Sequence, residues 1–569
     1  MHGRSCLAVA VALALCGCGP RLVPADVVFT NGNIYTLAGD PPARVEDEPR
    51  VEALAVRAGR IVALGSRDAI EKLVGDSTQV HDLRGRTLVP GLVDSHVHVQ
   101  SLGRSLRQVD LVGTRSFDEV IERVRARAAD LAAGEWVLGR GWDQNDWPTP
   151  EFPDHAALSA ALPRQPVFLR RVDGHAALAN AAAMAIAGVG ARGPDPSGGR
   201  ILRRADGTPT GVLVDRAMDL VTPFIPPPSA GERQLRLQVA LAHASEKGLT
   251  GVHDAGIDGF DLEDYRTLLE RGALPLRVYA MIGATVRGDV SADSLLQLAL
   301  RDGPHPFAAD GRFALRAVKL MVDGALGSRG AALLEPYSDE PAVRGLPQYD
   351  LEEFLTVARP LHAAGFQLAT HAIGDAGNRL VLDAYEILQR ETPRADSRHR
   401  IEHAQVLAPA DIPRFASLGV LPSMQPTHCT SDMPWAGARL GAERERGAYA
   451  WRALRDTGVL LPGGSDAPVE SIDPILGLYA AVTRQDVHGK PEAGWHSEER
   501  LTRSEALRAF TSWAAHASFS ETELGTLEIG KRADLTVFDR DVLRCRAPEL
   551  LSTRVTMTVV DGDVVFRQD

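Results

Sequence analysis

The chain has 569 residues, 44% hydrophobic and 24% charged, the proportions of an ordinary globular protein, which sets aside disordered and fibrous classes. A net charge of -12, with Lys and Arg scattered along the chain, speaks against a nucleic-acid partner, because phosphate recognition needs a basic excess. The length fits a barrel of roughly 250 residues enlarged by insertions, with a second, small domain beside it.

In chain order, His2 and Arg4 precede the apolar run Cys6 to Leu15, which is too short to span a bilayer as a mature helix and has the form of a secretory signal. It ends in Leu15-Cys16-Gly17-Cys18, which resembles the bacterial lipobox. Residues 1–18 are therefore read as a lipoprotein-type signal peptide and Cys18 as the lipidated anchor; cleavage nearby to release a soluble protein is the alternative. Gly19 follows Cys18, which by the same resemblance implies the outer membrane, facing the periplasm or the surface. A lipid anchor is the only membrane attachment expected, since no second apolar run of bilayer length follows. Cys18, Cys429 and Cys545 are too few for a disulfide scaffold, and whether Cys429 and Cys545 pair is left open.

Next, Val27 to Thr30 and Ile34 to Leu37 flank Asn31-Gly32, a dipeptide that predicts a hairpin. A second hairpin is expected from Ala53 to Leu64 around Ala58-Gly59, and a third near the other end, where Met557 to Val560 and Val564 to Phe566 flank Asp561-Gly562. Because chain ends usually lie close together and open strand edges gain from pairing, 25–86 and 525–569 are assigned to one composite β-sandwich.

Between them, residues 87–524 alternate short apolar or β-branched runs with helical stretches such as Leu351 to Ala364 and Asn378 to Arg390, the pattern of βα units around a parallel sheet. Eight candidate strands end near His98, Asp254, Ile282, Asp323, His371, His403, Gln425 and Asp466. The fold class is thus α/β, a (β/α)8 barrel with a small composite β-sandwich. The long stretch from about 101 to 247 carries Gly141 to Pro148 and the Gly/Pro-rich segment Gly193 to Gly199 and is read as an insertion at the barrel mouth after the first strand.

Asp94, His96 and His98 are spaced by two, so they share one face of the first strand. Lys319 sits inside an apolar run, where an unpaired ammonium costs several kcal/mol. Either a salt bridge, with Asp323 as a candidate, or a lowered pKa that lets CO2 add to the amine would answer that cost. His371, His403 and Asp466 each lie at a strand end followed by Gly, Pro or a helical pattern, which is where a barrel keeps its catalytic groups.

With those residues in place, the chain resembles the amidohydrolase superfamily, in the branch that contains N-substituted formamide deformylase. The likeness runs from about residue 25 to 569 and is carried by Gly139 to Asp143, Arg171 to His175, Thr210 to Leu213, Lys319 to Arg329, His371 to Asp375, Arg400 to Gln405, Gly464 to Pro468 and Gly530 to Leu535. The resemblance implies two divalent cations, zinc by the chemistry of the ligands. His96, His98 and Asp466 would hold the more buried ion, His371 and His403 the more exposed one, and N-carboxylated Lys319 would bridge them. Asp466 would serve as general base and then general acid in hydrolysis of a C–N bond in a small-molecule amide, an N-acyl or N-formyl amine. Trp142, Asp143, His175 and His253 are candidate substrate contacts, with Trp142, Trp147 and Phe168 as apolar walls and Asp254 and Arg329 as weaker candidates. A single-metal deaminase of the same superfamily and a surface lipoprotein that binds without turnover are the alternatives; oligomeric state is left open.

Overall fold

The computed structural model describes residues 23–132, 134–172, 174–191, 193–284, 294–308 and 310–568. Cys18 and the signal-like segment lie outside the described residues. Among the described residues no helix is long and apolar enough to cross a membrane.

Seven parallel strands form the central sheet, in sequential order: Leu92–Val97, Leu249–Ile257, Arg277–Gly283, Phe313–Met321, Gln367–Ala372, Arg400–His403 and Leu421–Ser423. Single parallel bridges join Met424 to Gly463 and Val97 to Ala467, so the segment around Asp466 fills the remaining gap and nearly closes a barrel. It reads as a run of bridges rather than a strand. Gly464 is needed at this seam: a Cβ there would lie 2.6 Å from the His96 amide nitrogen and 2.8 Å from Asp94 Oδ1.

Helices pack outside, as the periodicity predicts. Leu351–Ala363 starts at a capping box in which Asp350 and Glu353 satisfy each other's backbone N–H, worth about 1 kcal/mol for the cap. It buries Phe354, Leu355, Val357, Ala358 and Leu361, at roughly 1.5–3 kcal/mol for each large side chain. Asp375–Glu391 does the same on the next flank.

Both chain ends enter one eight-stranded sheet, in which Val27–Tyr35, Arg50–Arg57 and Arg60–Gly65 continue through Thr87–Pro90 to Leu535–Phe538, Val555–Val560 and Asp563–Arg567. Two of the three expected hairpins form, with positive φ at Ala58 and Gly59 and at Asp561 and Gly562, as two-residue turns of this twist require. The hairpin at Asn31-Gly32 does not form. One strand runs through it with a register irregularity, and Gly32 serves close packing, since a Cβ there would come within 2.4 Å of Leu83 Cδ1. Arg277, on the third barrel strand, reaches out of the barrel to Asp534 (2.7 Å) and Asp561 (2.7 Å), binding barrel and sheet together.

The insertion carries a six-stranded sheet of its own between Val109–Asp110 and Pro209–Asp215. Its two faces support separate apolar clusters, one around Trp142, Trp147 and Leu169 and the other around Phe168, Leu213 and Met218. Cys429 and Cys545 are free thiols.

Candidate metal centre

The strand ends at the barrel mouth bring the sequence-predicted histidines together. The His96 ring centroid lies 5.5 Å from that of His98 and 5.0 Å from that of His403, and His371 and His403 are 4.5 Å apart. Asp466 stands among them: its Oδ1 is 3.1 Å from His98 Nε2 and 3.6 Å from His96 Nε2. Two ligands at about 2.0–2.1 Å on one tetrahedral cation stand roughly 3.3–3.4 Å apart. The separations in this group therefore match a shared ion as well as they match hydrogen bonds, and the ligand atoms of His96, His98 and Asp466 all lie within 4.8 Å of one another.

Each imidazole is oriented by a partner behind it. His96 Nδ1 lies 2.5 Å from Glu402 Oε2, which leaves Nε2 facing the centre. Glu402 is itself held by Arg400, Nε to Oε1 at 2.7 Å, and Arg400 also donates to the Ser95 carbonyl and Ser423 Oγ. His403 Nδ1 is 2.7 Å from Gln425 Oε1. Second-layer partners of this kind fix tautomer and ring direction in histidine metal sites. His371 Nε2 is buried and makes no hydrogen bond; it lies 3.6 Å from Asp323 Oδ1.

The electrostatics place these groups in their ligand forms. Burial, reinforced by the Lys319 ammonium, pushes His96 down to about 4 and His371 to about 3, so both are neutral near pH 7. Burial alone would raise Asp466, but the hydrogen bond from His98 and the neighbouring imidazoles hold it well below the usual carboxylate range. Backbone geometry is spent here too. His403, Ala404 and Asp466 have φ of 75°, 42° and 61°, left-handed values that cost of order 1–3 kcal/mol each and cluster at functional sites. A nitrogen-rich set with one ionised carboxylate, its ligand atoms within 4.8 Å of one another, fits a divalent cation of the zinc type.

Lys319 is buried, and burial lowers its pKa despite Glu402 and Asp466 nearby. Its Nζ is 3.1 Å from His96 Nε2. The salt bridge to Asp323 offered as one answer to its burial is absent. Asp323 instead accepts from the backbone N–H of Ala332, Ile373 and Gly374 at 2.8–3.0 Å, pinning the loops that follow the fourth and fifth strands.

The candidate substrate contacts are not gathered at this centre. Trp142 is 1% exposed, and its Nε1 donates to the Leu169 carbonyl. Trp147 Nε1 donates to the Thr114 carbonyl, and Phe168 is buried as well. The apolar walls expected from these three side chains are thus interior packing of the insertion, which needs them to cover its own sheet. Asp143 caps a short turn and pairs with Arg171 at 2.5 Å. His175 is exposed and 2.9 Å from Asp215. His253 is 2% exposed and lies 3.0 Å from Arg400 Nη1, behind the ligands rather than before them. Asp254 accepts from Tyr265 Oη at 2.6 Å and the Val99 amide, and Arg329 pairs with Asp339.

Three residues that stand beside these ligands were not among the site residues named from the sequence. Glu402 and Gln425 stand behind the ligands, although Glu402 belongs to the Arg400 to Gln405 segment already singled out. His428 is the third, on the helix Pro426–Asp432 that follows the seventh strand. Met321 is 43% exposed and in register with His371, an apolar side chain that does face the mouth.

A model described as the amidohydrolase family matches residues 79–566. Among curated proteins, the chain is 36% identical over 526 residues to Protein LONG AFTER FAR-RED 3 of Arabidopsis thaliana, covering 91% of this chain and 88% of that one. It is 30% identical over 547 residues to N-substituted formamide deformylase of Arthrobacter pascens, covering 94% and 97%. Among solved structures, an uncharacterized metal-dependent hydrolase from Pyrococcus furiosus aligns with a TM-score of 0.73 at 28% identity, over 91% of this chain and 100% of the other.

Proposed function

The chain belongs to the amidohydrolase family and is a metal-dependent hydrolase of carbon–nitrogen bonds; from that premise we propose that it cleaves an N-acyl or N-formyl amine, using His96, His98, Lys319, His371, His403 and Asp466 to hold two zinc ions. The observation that carries this reading is the position of Asp466, an ionised carboxylate held at φ 61° among neutral imidazoles. Bound there, the cations would supply a water acidic enough to react near pH 7 and would polarise the carbonyl.

The chain's own residues do the rest. Asp466 takes the proton of the attacking water on a carboxylate oxygen and returns it to the leaving nitrogen, which lets one group serve as base and then as acid. Glu402 and Gln425 keep the Nε2 atoms of His96 and His403 turned inward. Lys319 is taken to be N-carboxylated: no ion pair to a carboxylate is present for it among the described residues, and a carbamate would turn a buried cation into an anion able to hold metal cations. Met321, beside His371, offers the apolar contact for a hydrophobic group next to the amide.

In the same reading 25–86 and 525–569 form a small β-sandwich domain, 87–524 the catalytic barrel, and 101–247 its insertion. Residues 1–18 are a signal peptide and Cys18 the lipid anchor in the outer membrane. Recovery of Cys18→Ser in the soluble fraction, with the wild type in membranes, is the expected result for the anchor. The test of chemistry is a panel of N-formyl and N-acyl amines set beside aminated rings. Release of amine and carboxylate from the first group is expected; ammonia from the second group alone would move the assignment to a deaminase.

A further inference from the structure

His428 has no part in the ligand set named above, yet it sits inside the centre. Its Nε2 is buried, makes no hydrogen bond, and lies 3.6 Å from Asp466 Oδ2. Its ring stacks on His403 at 5.9 Å with only 15° between the planes. The ligand atoms of His403, His428 and Asp466 all lie within 4.8 Å of one another, a second triad beside that of His96, His98 and Asp466.

The two oxygens of Asp466 divide between these triads: Oδ1 is turned to His96 and His98, Oδ2 to His428. At 3.6 Å the His428 contact is too long for a hydrogen bond, and it is close to the roughly 3.3–3.4 Å expected between two ligands on one tetrahedral ion. His362 Nε2, elsewhere in the chain, meets the Thr392 carbonyl at 2.7 Å; His81 and His496 likewise make no hydrogen bond through a buried Nε2, but neither belongs to a converging set of ligand atoms among the described residues. His428 Nε2 instead faces the Asp466 carboxylate and the His403 ring, within the second triad.

On the two-cation reading above, we propose that His428 is a further metal ligand, which joins His371 and His403 at the site of the more exposed cation, beside Asp466 Oδ2. Because its helix begins directly after the seventh strand, the centre draws a ligand from a position beyond the strand itself.

The test uses the full-length protein, stripped with a chelator and titrated with Co(II), whose visible spectrum reports ligand number and geometry at each equivalent. His428→Ala and His428→Asn are compared with wild type and with Glu498→Gln, an exposed control. The expected result is an unchanged first equivalent, with the second weakened at least about 10-fold, the lower end for loss of even an outer-layer partner, and a changed spectrum for that second ion. Added imidazole restores the second ion in His428→Ala. A second equivalent bound by folded His428→Ala or His428→Asn with wild-type affinity and spectrum overturns the proposal alone. Wild type that takes up a single Co(II) overturns it together with the two-cation reading. Should the alanine variant fail to fold, the asparagine variant decides, with circular dichroism confirming its fold.

Discussion

The insertion and the barrel mouth both stand out in the sequence for clustered aromatic, histidine and acidic residues, yet they are built on opposite principles. In the insertion the polar atoms of the conspicuous residues are satisfied: both tryptophan N–H groups meet carbonyls, and Asp143 meets Arg171. At the mouth, buried nitrogens of His371 and His428 make no hydrogen bond and stand 3.6 Å from carboxylates, and two ligand-type residues occupy left-handed backbone. Motif density is therefore the poorer guide to this centre; unpaired ligand nitrogens beside left-handed ligand residues are the better one.

That contrast can be broken most directly at Asp466. Asp466→Asn is expected to lower kcat by about 100-fold to 10,000-fold, the usual scale for loss of a general base, with metal content measured in parallel to separate proton transfer from binding. A variant with both metals and an undiminished rate would remove Asp466 from the chemistry. Lys319→Ala is expected to lose a large share of bound metal, and native mass spectrometry of the wild type to show a CO2 adduct. Full occupancy and full activity in that variant would reduce Lys319 to a structural residue.

One layer back the effects shrink. Gln425→Ala frees the His403 ring, and a loss of about 10-fold to 100-fold in metal affinity or activity is expected; an unaltered metal titration would show that stacking alone orients the ring. Acid provides a sharper comparison. His96 and His371 are neutral in the fold at pH values where unfolded histidine, with a pKa of about 6.5, is protonated. Their folded values are depressed, so the stability they contribute is complete above about pH 6.5 and falls away as the pH drops through about 4 towards about 3. Hydrogen exchange of the metal-free protein across that range is expected to lose protection at the mouth before it does in the insertion sheet. Simultaneous loss in both would deny that the two regions differ.

The smallest catalytic effect is expected where the sequence drew most attention. Trp142→Phe removes one buried hydrogen bond, costing about 0.5–1.5 kcal/mol of stability, with kcat and KM unchanged in the folded enzyme. A selective rise in KM would return Trp142 to the substrate pocket.

What was legible in the sequence followed from burial. Barrel strands covered on both faces read as apolar runs, and residues as discordant as Lys319 and His403 stood out against them at the ends. What was illegible was decided by tertiary partners. Asn31-Gly32 has the same form as Asp561-Gly562, but the chain at Leu83 crowds against it and the strand carries on. Asp143 offered a free carboxylate until Arg171, 28 residues away, was seen to take it. His428 lay in a helix, outside the strand-end rule that found the others, and the orphaned state of its nitrogen exists only in three dimensions.

The clasp of Arg277 on Asp534 and Asp561 has a consequence for the order of events during folding. Its partners are separated by 257 and 284 residues, and the sheet it anchors needs strands from both sides of the barrel. Synthesis runs from one end, so the early strands wait with an open edge while hundreds of residues emerge. Contacts of such long sequence separation form late and slowly. Chains cut short before Asp534 would display that edge indefinitely, in a form suited to capture by chaperones or by other copies of themselves.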